Sequence, residues 1–262
     1  MKGLFAAFWT ESLKVRRSKM LWATIIAFSF IAIMVGLLEL VSKHPEIASK
    51  SATISAKASV IGKADWPSYL DLLTQIILAL GPLGFGIVSS WVFGREYSDR
   101  AIKDLLALPV SRFSIVLSKF IIIAIWSAFM SLTIFVFGSL TGLAVNLADW
   151  SNGTFYHAFV TFSGSSILTI LLCTPIAFLA SFSRGYLLPI AFAILTLIMT
   201  QLVTIGLPSI TPYFPWAIPA LYSGIAGTEL PHPGTISYII LVFTSVSGLF
   251  GTAAWWRFAD QT

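Results

Sequence analysis

The sequence predicts an all-α integral membrane protein with six transmembrane helices, and three observations carry that reading. Of the 262 residues, 57% are apolar and 10% charged, against roughly 25% charged in soluble domains. The charges are also segregated: between Phe120 and Ser183 the only ionised side chain is Asp149, and between Gly185 and Thr228 there is none. Finally, the apolar runs lack the alternating polarity of a transmembrane β-barrel, so backbone groups in lipid must be satisfied within helices.

Residues 1–19 precede the first apolar run. Phe5, Trp9 and Leu13 recur at i, i+4 and i+8, with Leu4 and Phe8 beside them, while Glu11, Lys14 and Arg17 fall on other faces. An aromatic face with a basic end suits an interfacial helix at the headgroup boundary; a plain extension of the first span is the alternative. Six spans follow, at about 20–41, 70–93, 113–145, 157–182, 186–206 and 235–256, each near or above the ~20 residues that cross a bilayer as helix. They make one transmembrane domain of residues 1–262. The first run is too long, and too poor in a following small-residue site, for a cleaved signal peptide.

Gly81, Pro82, Gly84 and Gly86 should loosen or kink the second span, and Pro175 and Pro189 the fourth and fifth. Gly138 and Gly142 form a GxxxG pair in the third, and Ser247 and Gly251 a similar small-residue pair in the sixth. Residues 207–234 hold six prolines and four aromatics. That is too much proline for a spanning helix and too little charge for a solvated loop. A proline-broken, re-entrant outer segment fits, with an aromatic belt on an ordinary loop as the alternative.

Orientation follows from Lys and Arg. With six spans, twelve of them fall on the side of the termini, and four (Lys43, Lys50, Lys57 and Lys63) share one loop on the other. Both termini are therefore expected in the cytoplasm.

Gly94–Arg112 is the most informative polar stretch. Ile102, Leu105, Leu106 and Pro109 recur at i, i+3, i+4 and i+7, so one helical face is apolar. Asp99, Arg100, Lys103 and Asp104 lie mostly on the others. Ser98 is placed to cap the helix, Asp99 suits its positive end, and Pro109 stops it. About three turns of helix result, lying on the membrane surface or in a partner's groove. Glu96 and Arg112 are positioned to pair across the loop base, with a solvated role for each as the equal alternative.

The missing chemistry narrows function. There is no GxxxxGK[ST] phosphate loop, no HExxH and no GxSxG, and His44, His157 and His232 have no metal-ligand spacing. No cofactor or metal is expected on this chain. One cysteine, Cys173, allows no internal disulfide, and the +5 charge forms no nucleic-acid stripe. Glu39 and Asp71, the acids best placed for an ion relay, sit near the outer ends of their spans, where an acid reaches water; each reads as a hydrated boundary residue, and the bundle offers no evident proton or sodium relay.

The run Arg95–Lys119 resembles the permease subunit of type 2 ATP-binding-cassette transporters. That family commonly carries a Glu after span two, a coupling helix, Leu-Leu-x-x-Pro-Val-Ser-Arg, and a Lys entering span three. Here these are Glu96, the helix around Ser98–Leu108, Leu105-Leu106 with Pro109-Val110-Ser111-Arg112, and Lys119. The family's usual Gly-Thr is replaced by Arg100-Ala101. Members of this size include some similar to bacitracin- and lantibiotic-resistance permeases. The resemblance implies a cytoplasmic coupling helix, with Glu96, Ser98, Asp99, Arg100, Ile102, Lys103, Leu105, Leu106, Pro109 and Arg112 serving ATPase coupling. It implies a separate ATPase subunit that carries ATP and magnesium, a second permease (identical or paralogous), and residence among lipids of a bacterial plasma membrane. The expected function is export of an amphipathic or hydrophobic substrate such as a peptide antibiotic, drug or lipid-like molecule. Trp126, Ser127, Phe129, Ser131 and Thr133 are candidates to line its path, and helix packing is the alternative role for each. A non-transporting sensor or structural subunit, a passive channel and a lipid-directed membrane enzyme are the rival functions.

Overall fold

A computed structural model of the chain describes residues 2–43, 65–99, 110–225, 227 and 230–258. Helix α1 (Lys2–Arg16) leads into α2 (Lys19–Lys43) through Ser18, whose Oγ accepts from Met20 N at 2.9 Å and so caps the new helix. Helix α3 (Trp66–Ser98) starts at Asp65, whose carboxylate accepts from Ser68 N at 2.9 Å, with Pro67 in the first turn. There proline loses no hydrogen bond. Helix α4 (Arg112–Val145) is capped by Ser111 and ends at Asn146 in the left-handed region, φ 53°. Lys43 Nζ donates to the Val145 and Asn146 carbonyls there, at 2.9 and 2.7 Å, a cation on the negative helix end.

Helices α5 (Asn152–Leu171) and α6 (Thr174–Phe182) form one broken span, followed by α7 (Leu187–Gly206). Two 3₁₀ turns, Thr211–Tyr213 and Pro215–Ala217, lead into the short α8 (Ile218–Ser223), and α9 (Thr235–Phe258) completes the described chain. Six elements are long and apolar enough to cross a membrane: α2, α3, α4, α5 with α6, α7 and α9. Large apolar side chains face outward, among them Leu187, Ile205 and Phe243, at 84%, 79% and 72% exposure. Only a lipid solvent makes such a surface stable. The chain is a multi-pass, all-α membrane protein.

The prolines act in three different ways. Pro82 lies within the continuous α3. Pro175 follows a break at Leu172–Cys173, where the single Thr174 hydroxyl proton is shared between Ser245 O at 2.6 Å and Leu171 O at 3.1 Å, the carbonyl that proline leaves without a donor. Pro189, expected to kink the fifth span, sits in the first turn of α7, where no i−4 bond is lost.

Helix α3 occupies the centre, packed on α4, α5, α6 and α7, while α2 lies mainly on α4 and α9 mainly on α6. Small residues set these approaches. A Cβ on Gly138 would lie 2.6 Å from the Leu73 side chain, so α3 fills that notch. On α9 the packing stripe is Ser245, Gly248 and Thr252; of the expected pair, Gly251 meets α6, where a Cβ would lie 3.3 Å from the Phe178 ring, but Ser247 is exposed. A Cβ on Gly248 would come within 2.5 Å of Pro175 N, and Thr174 Oγ1 donates to Ser245 O at 2.6 Å. The broken span is thus docked backbone-to-backbone on α9. The 3₁₀ turns and α8 bury Thr211, Pro212, Ala217, Ile218 and Leu221, so this proline-rich stretch is packed against the bundle.

Candidate functional site

Four charges meet where α1, the end of α3 and the start of α4 converge. Lys119 Nζ donates to Glu96 Oε1 at 2.8 Å, Glu11 Oε2 at 3.0 Å and Val92 O at 3.1 Å. Lys14 Nζ donates to Glu96 Oε1 at 2.8 Å and Glu11 Oε1 at 2.9 Å. The result is a closed, alternating, neutral quartet. Lys119 is fully buried, and Glu96 and Glu11 are nearly so. All three ammonium hydrogens of Lys119 are used. Burial alone would lower the Lys14 ammonium's pKa, but the Glu11 and Glu96 carboxylates outweigh it and hold the value above the ordinary one. With every charge compensated, the quartet fastens three helices together.

It fastens them at the root of the loop between α3 and α4. Glu96 sits just before that loop and Lys119 just after it, so their pairing holds the two loop ends side by side. The expected pairing of Glu96 with Arg112 is not made. Arg112 Nη1 instead donates to the Trp256 and Arg257 carbonyls, at 3.0 and 3.1 Å, joining α4 to the end of α9 where a helix's unpaired carbonyls attract a cation. Trp256 Nε1 in turn donates to Ser181 Oγ of α6 at 3.1 Å. Ser98 is the last residue of α3, and Asp99 is that helix's C-cap rather than the first turn of another. Arg95 Nε donates to Asp99 Oδ2 at 3.1 Å, and its guanidinium lies 5.0 Å over the Trp91 ring. Arg100, Ile102, Lys103, Leu105, Leu106 and Pro109 lie outside the described residues.

The five span-three candidates scatter over more than one face. Trp126 is buried, donates from Nε1 to Thr24 Oγ1 at 3.1 Å and meets Trp91 edge to face at 5.6 Å. Ser131 and Thr133 return their hydroxyls to the carbonyls of Ser127 and Phe129. Ser127 is buried, and Phe129 is 51% exposed on the outer surface. A partly open cavity lies elsewhere, among α3, α5, α6 and α7, and none of the five lines it. Glu39, expected to reach water at its helix end, is 1% exposed, and neither carboxylate oxygen has a hydrogen-bond partner among the described residues. Asp71 is exposed. Among the described residues no group of three or more His, Cys, Asp or Glu is placed to hold a metal.

Glu11 was missed by reasoning from periodicity, because a lone acid on an amphipathic helix reads as a solvated face. Besides Lys14, one turn away, its buried partner Lys119 is 108 residues away. The available signal was Lys119, a lysine inside an apolar run, which demands a buried counter-charge.

A family model described as ABC-2 family transporter protein matches residues 7–200, a stretch that includes the whole quartet and the loop it anchors. The chain is also similar to a bacitracin transport permease protein of Bacillus licheniformis. The two are 29% identical over 194 residues, which cover 74% of this chain and 91% of the relative.

Proposed function

The chain belongs to the ABC-2 family of transporter proteins, and on that premise we propose that it exports an amphipathic or hydrophobic substrate, coupled through residues 94–112 to its ATPase. It is a membrane permease subunit, and ATP hydrolysis belongs to a separate chain. Peptide antibiotics are the substrate class named by the similarity to a bacitracin permease. In this reading the protein resides in a bacterial plasma membrane with both termini in the cytoplasm, and two permeases, identical or paralogous, form the pathway. ATP and magnesium bind the ATPase partner.

The observation that carries the reading is the anchored loop root. Force applied to residues 100–109 enters α3 and α4 directly. Through the quartet it reaches α1, and through Arg112 it reaches α9 and α6. A loop that served only as a membrane-surface connection has no use for a buried ionic clamp at both its ends. The apolar face that the sequence assigns to Ile102, Leu105 and Leu106 suits a groove on the ATPase, as amphipathic helices do, with Arg100, Lys103 and Asp104 setting its orientation.

The test is Leu105→Asp with Leu106→Asp. Burying one leucine is worth roughly 1.5–3 kcal/mol, so losing two weakens docking by orders of magnitude. The permease should still insert, while co-purification of the ATPase and substrate-stimulated hydrolysis should collapse. Retention of both binding and coupled transport refutes the coupling assignment.

A further inference from the structure

Two departures from regular helix and one proline inside a continuous helix surround a cavity of about 490 Å³. The proline is Pro82 in α3, whose missing N–H leaves one helical bond unmade; the departures are the break at Leu172–Cys173 between α5 and α6 and the run of 3₁₀ turns and α8 that brings Trp216 and Pro219 against α7. Irregular backbone at membrane depth persists only where protein buries it or where it lines a cavity. Broken membrane helices recur at ligand sites because they free polar groups within an apolar medium. The volume is that of a small-molecule pocket.

The lining has a definite chemistry. Most of it is apolar, from residues such as Leu78, Leu172, Ile176 and Leu197. The polar members are neutral: Gln75, Gln201, threonines of α5 and α7, and Trp216. Thr196 and Thr200 donate to their own helix, at 2.8 and 2.7 Å, which leaves their oxygens as acceptors. The Trp216 indole N–H is buried and has no hydrogen-bond partner among the described residues. A ligand that accepts one hydrogen bond removes that cost. Among the described residues, no Lys, Arg, His, Asp or Glu lines the space, so a phosphate or other ionised group would meet no counter-charge from them.

We propose that this cavity is a binding site for an uncharged amphipathic molecule, an apolar body bearing amide or hydroxyl groups, with Trp216 as donor and Gln75 and Gln201 as neutral partners. That the molecule is the transporter's cargo rests on the exporter reading; the binding site itself does not. Such a site also states a selectivity: an ionised headgroup is excluded, and a neutral amide or hydroxyl on an apolar body is admitted.

The experiment uses two photoreactive probes on the full chain in membranes, a diazirine-bearing decanamide and the matching decyl phosphate, with labelled peptides identified by mass spectrometry. The amide should label α6, α7 and the 207–225 segment saturably, and about tenfold more than the phosphate. Trp216→Phe keeps the ring and removes the donor, and Gln201→Leu removes an amide. Each should weaken labelling roughly three- to tenfold. Thr200→Trp should fill the space and abolish labelling, with insertion of each variant confirmed by expression in the membrane fraction. Non-saturable labelling spread over all lipid-facing helices overturns the proposal, as does equal labelling by the phosphate or no change in Trp216→Phe and Gln201→Leu. The Leu105→Asp, Leu106→Asp protein should keep saturable amide labelling. Intact labelling together with failed coupling in the unmodified complex defeats the exporter reading and leaves the site standing.

Discussion

Two glutamates, Glu96 and Glu39, are buried to nearly the same degree, at 3% and 1% exposure, in two distant regions of the bundle. Glu96 receives two ammonium groups at 2.8 Å inside a neutral quartet. Glu39 receives none among the described residues, where both its oxygens lack a hydrogen-bond partner. Around Glu96, three helix ends are joined by charge. Around Glu39, α2 is pressed on α4, with Gly36 against the Thr141 side chain, and the carboxyl is carried inward by that packing. The same residue type is therefore a fastener in one place and a cost in the other. The difference lies in whether a counter-charge accompanies it.

The largest effect should come from opening the quartet. Lys119→Met leaves Glu11 and Glu96 buried with Lys14 alone between them, an uncompensated negative charge. A loss of about 3–5 kcal/mol is expected for breaking a buried pair from one side, read as a large fall in the thermal midpoint of the detergent-solubilised protein. Adding Glu11→Gln should recover part of it, since the remaining charges again balance. If Lys119→Met is as stable as wild type, the quartet does not hold the loop root.

Next in size, and opposite in sign, is Glu39→Met. It removes an unsatisfied acid and keeps the volume, so stability should rise by about 1–3 kcal/mol, the desolvation penalty of an unpartnered polar group. A rise for Glu39→Met beside a fall for Lys119→Met would sharpen the contrast. A fall for both would mean that Glu39 has a partner that only the assembled transporter supplies.

The third effect depends on pH. The Lys14 ammonium is held above its ordinary pKa by Glu11 and Glu96 against the opposing pull of burial. Its stabilising contribution is fully present below the unfolded lysine's value and is lost as pH rises through the higher folded one. Wild type and Lys14→Met should therefore differ by a constant amount across neutral pH, and converge only in strongly alkaline solution. Convergence at neutral pH would break the assignment.

Much of this architecture was legible because lipid imposes one rule on every span: long, apolar and helical. Glu96 and Lys119 stood out in the motif flanking the loop. The positions that stayed hidden are those whose partners are remote in sequence. Arg112 turned to the carbonyls at the end of α9, 144 residues away, in place of the nearby Glu96, because Lys14 and Lys119 already occupy that carboxylate. Periodicity gave α9 a small-residue pair, but the stripe that packs lies on a neighbouring face, fixed by the break in α5–α6 that it receives. Span-three side chains with aromatic and hydroxyl character were natural path candidates. The cavity formed where proline and broken helix coincide, and no single span announces that coincidence.

The smallest effect tests the comparison within one region. Arg95 and Asp99 form an ion pair at 3.1 Å, only a few residues from the quartet and close to it in geometry. Their side chains are 28% and 57% exposed, against 0% for Lys119 and 4% for Glu96. Water already solvates Asp99, so its pairing replaces one good environment with another, and the gain is further offset by ordering two side chains. Exposed i,i+4 pairs are worth about 0.3–0.5 kcal/mol. Asp99→Asn keeps the shape and removes the charge, and it should shift the thermal midpoint by no more than that small amount, vanishing in high salt where exposed charges are screened. Lys119→Met should stay destabilised at the same salt, because its surroundings admit no counter-ion. Should Asp99→Asn prove as costly as Lys119→Met, burial is not what distinguishes these ion pairs, and the contrast between Glu96 and Glu39 would need another cause.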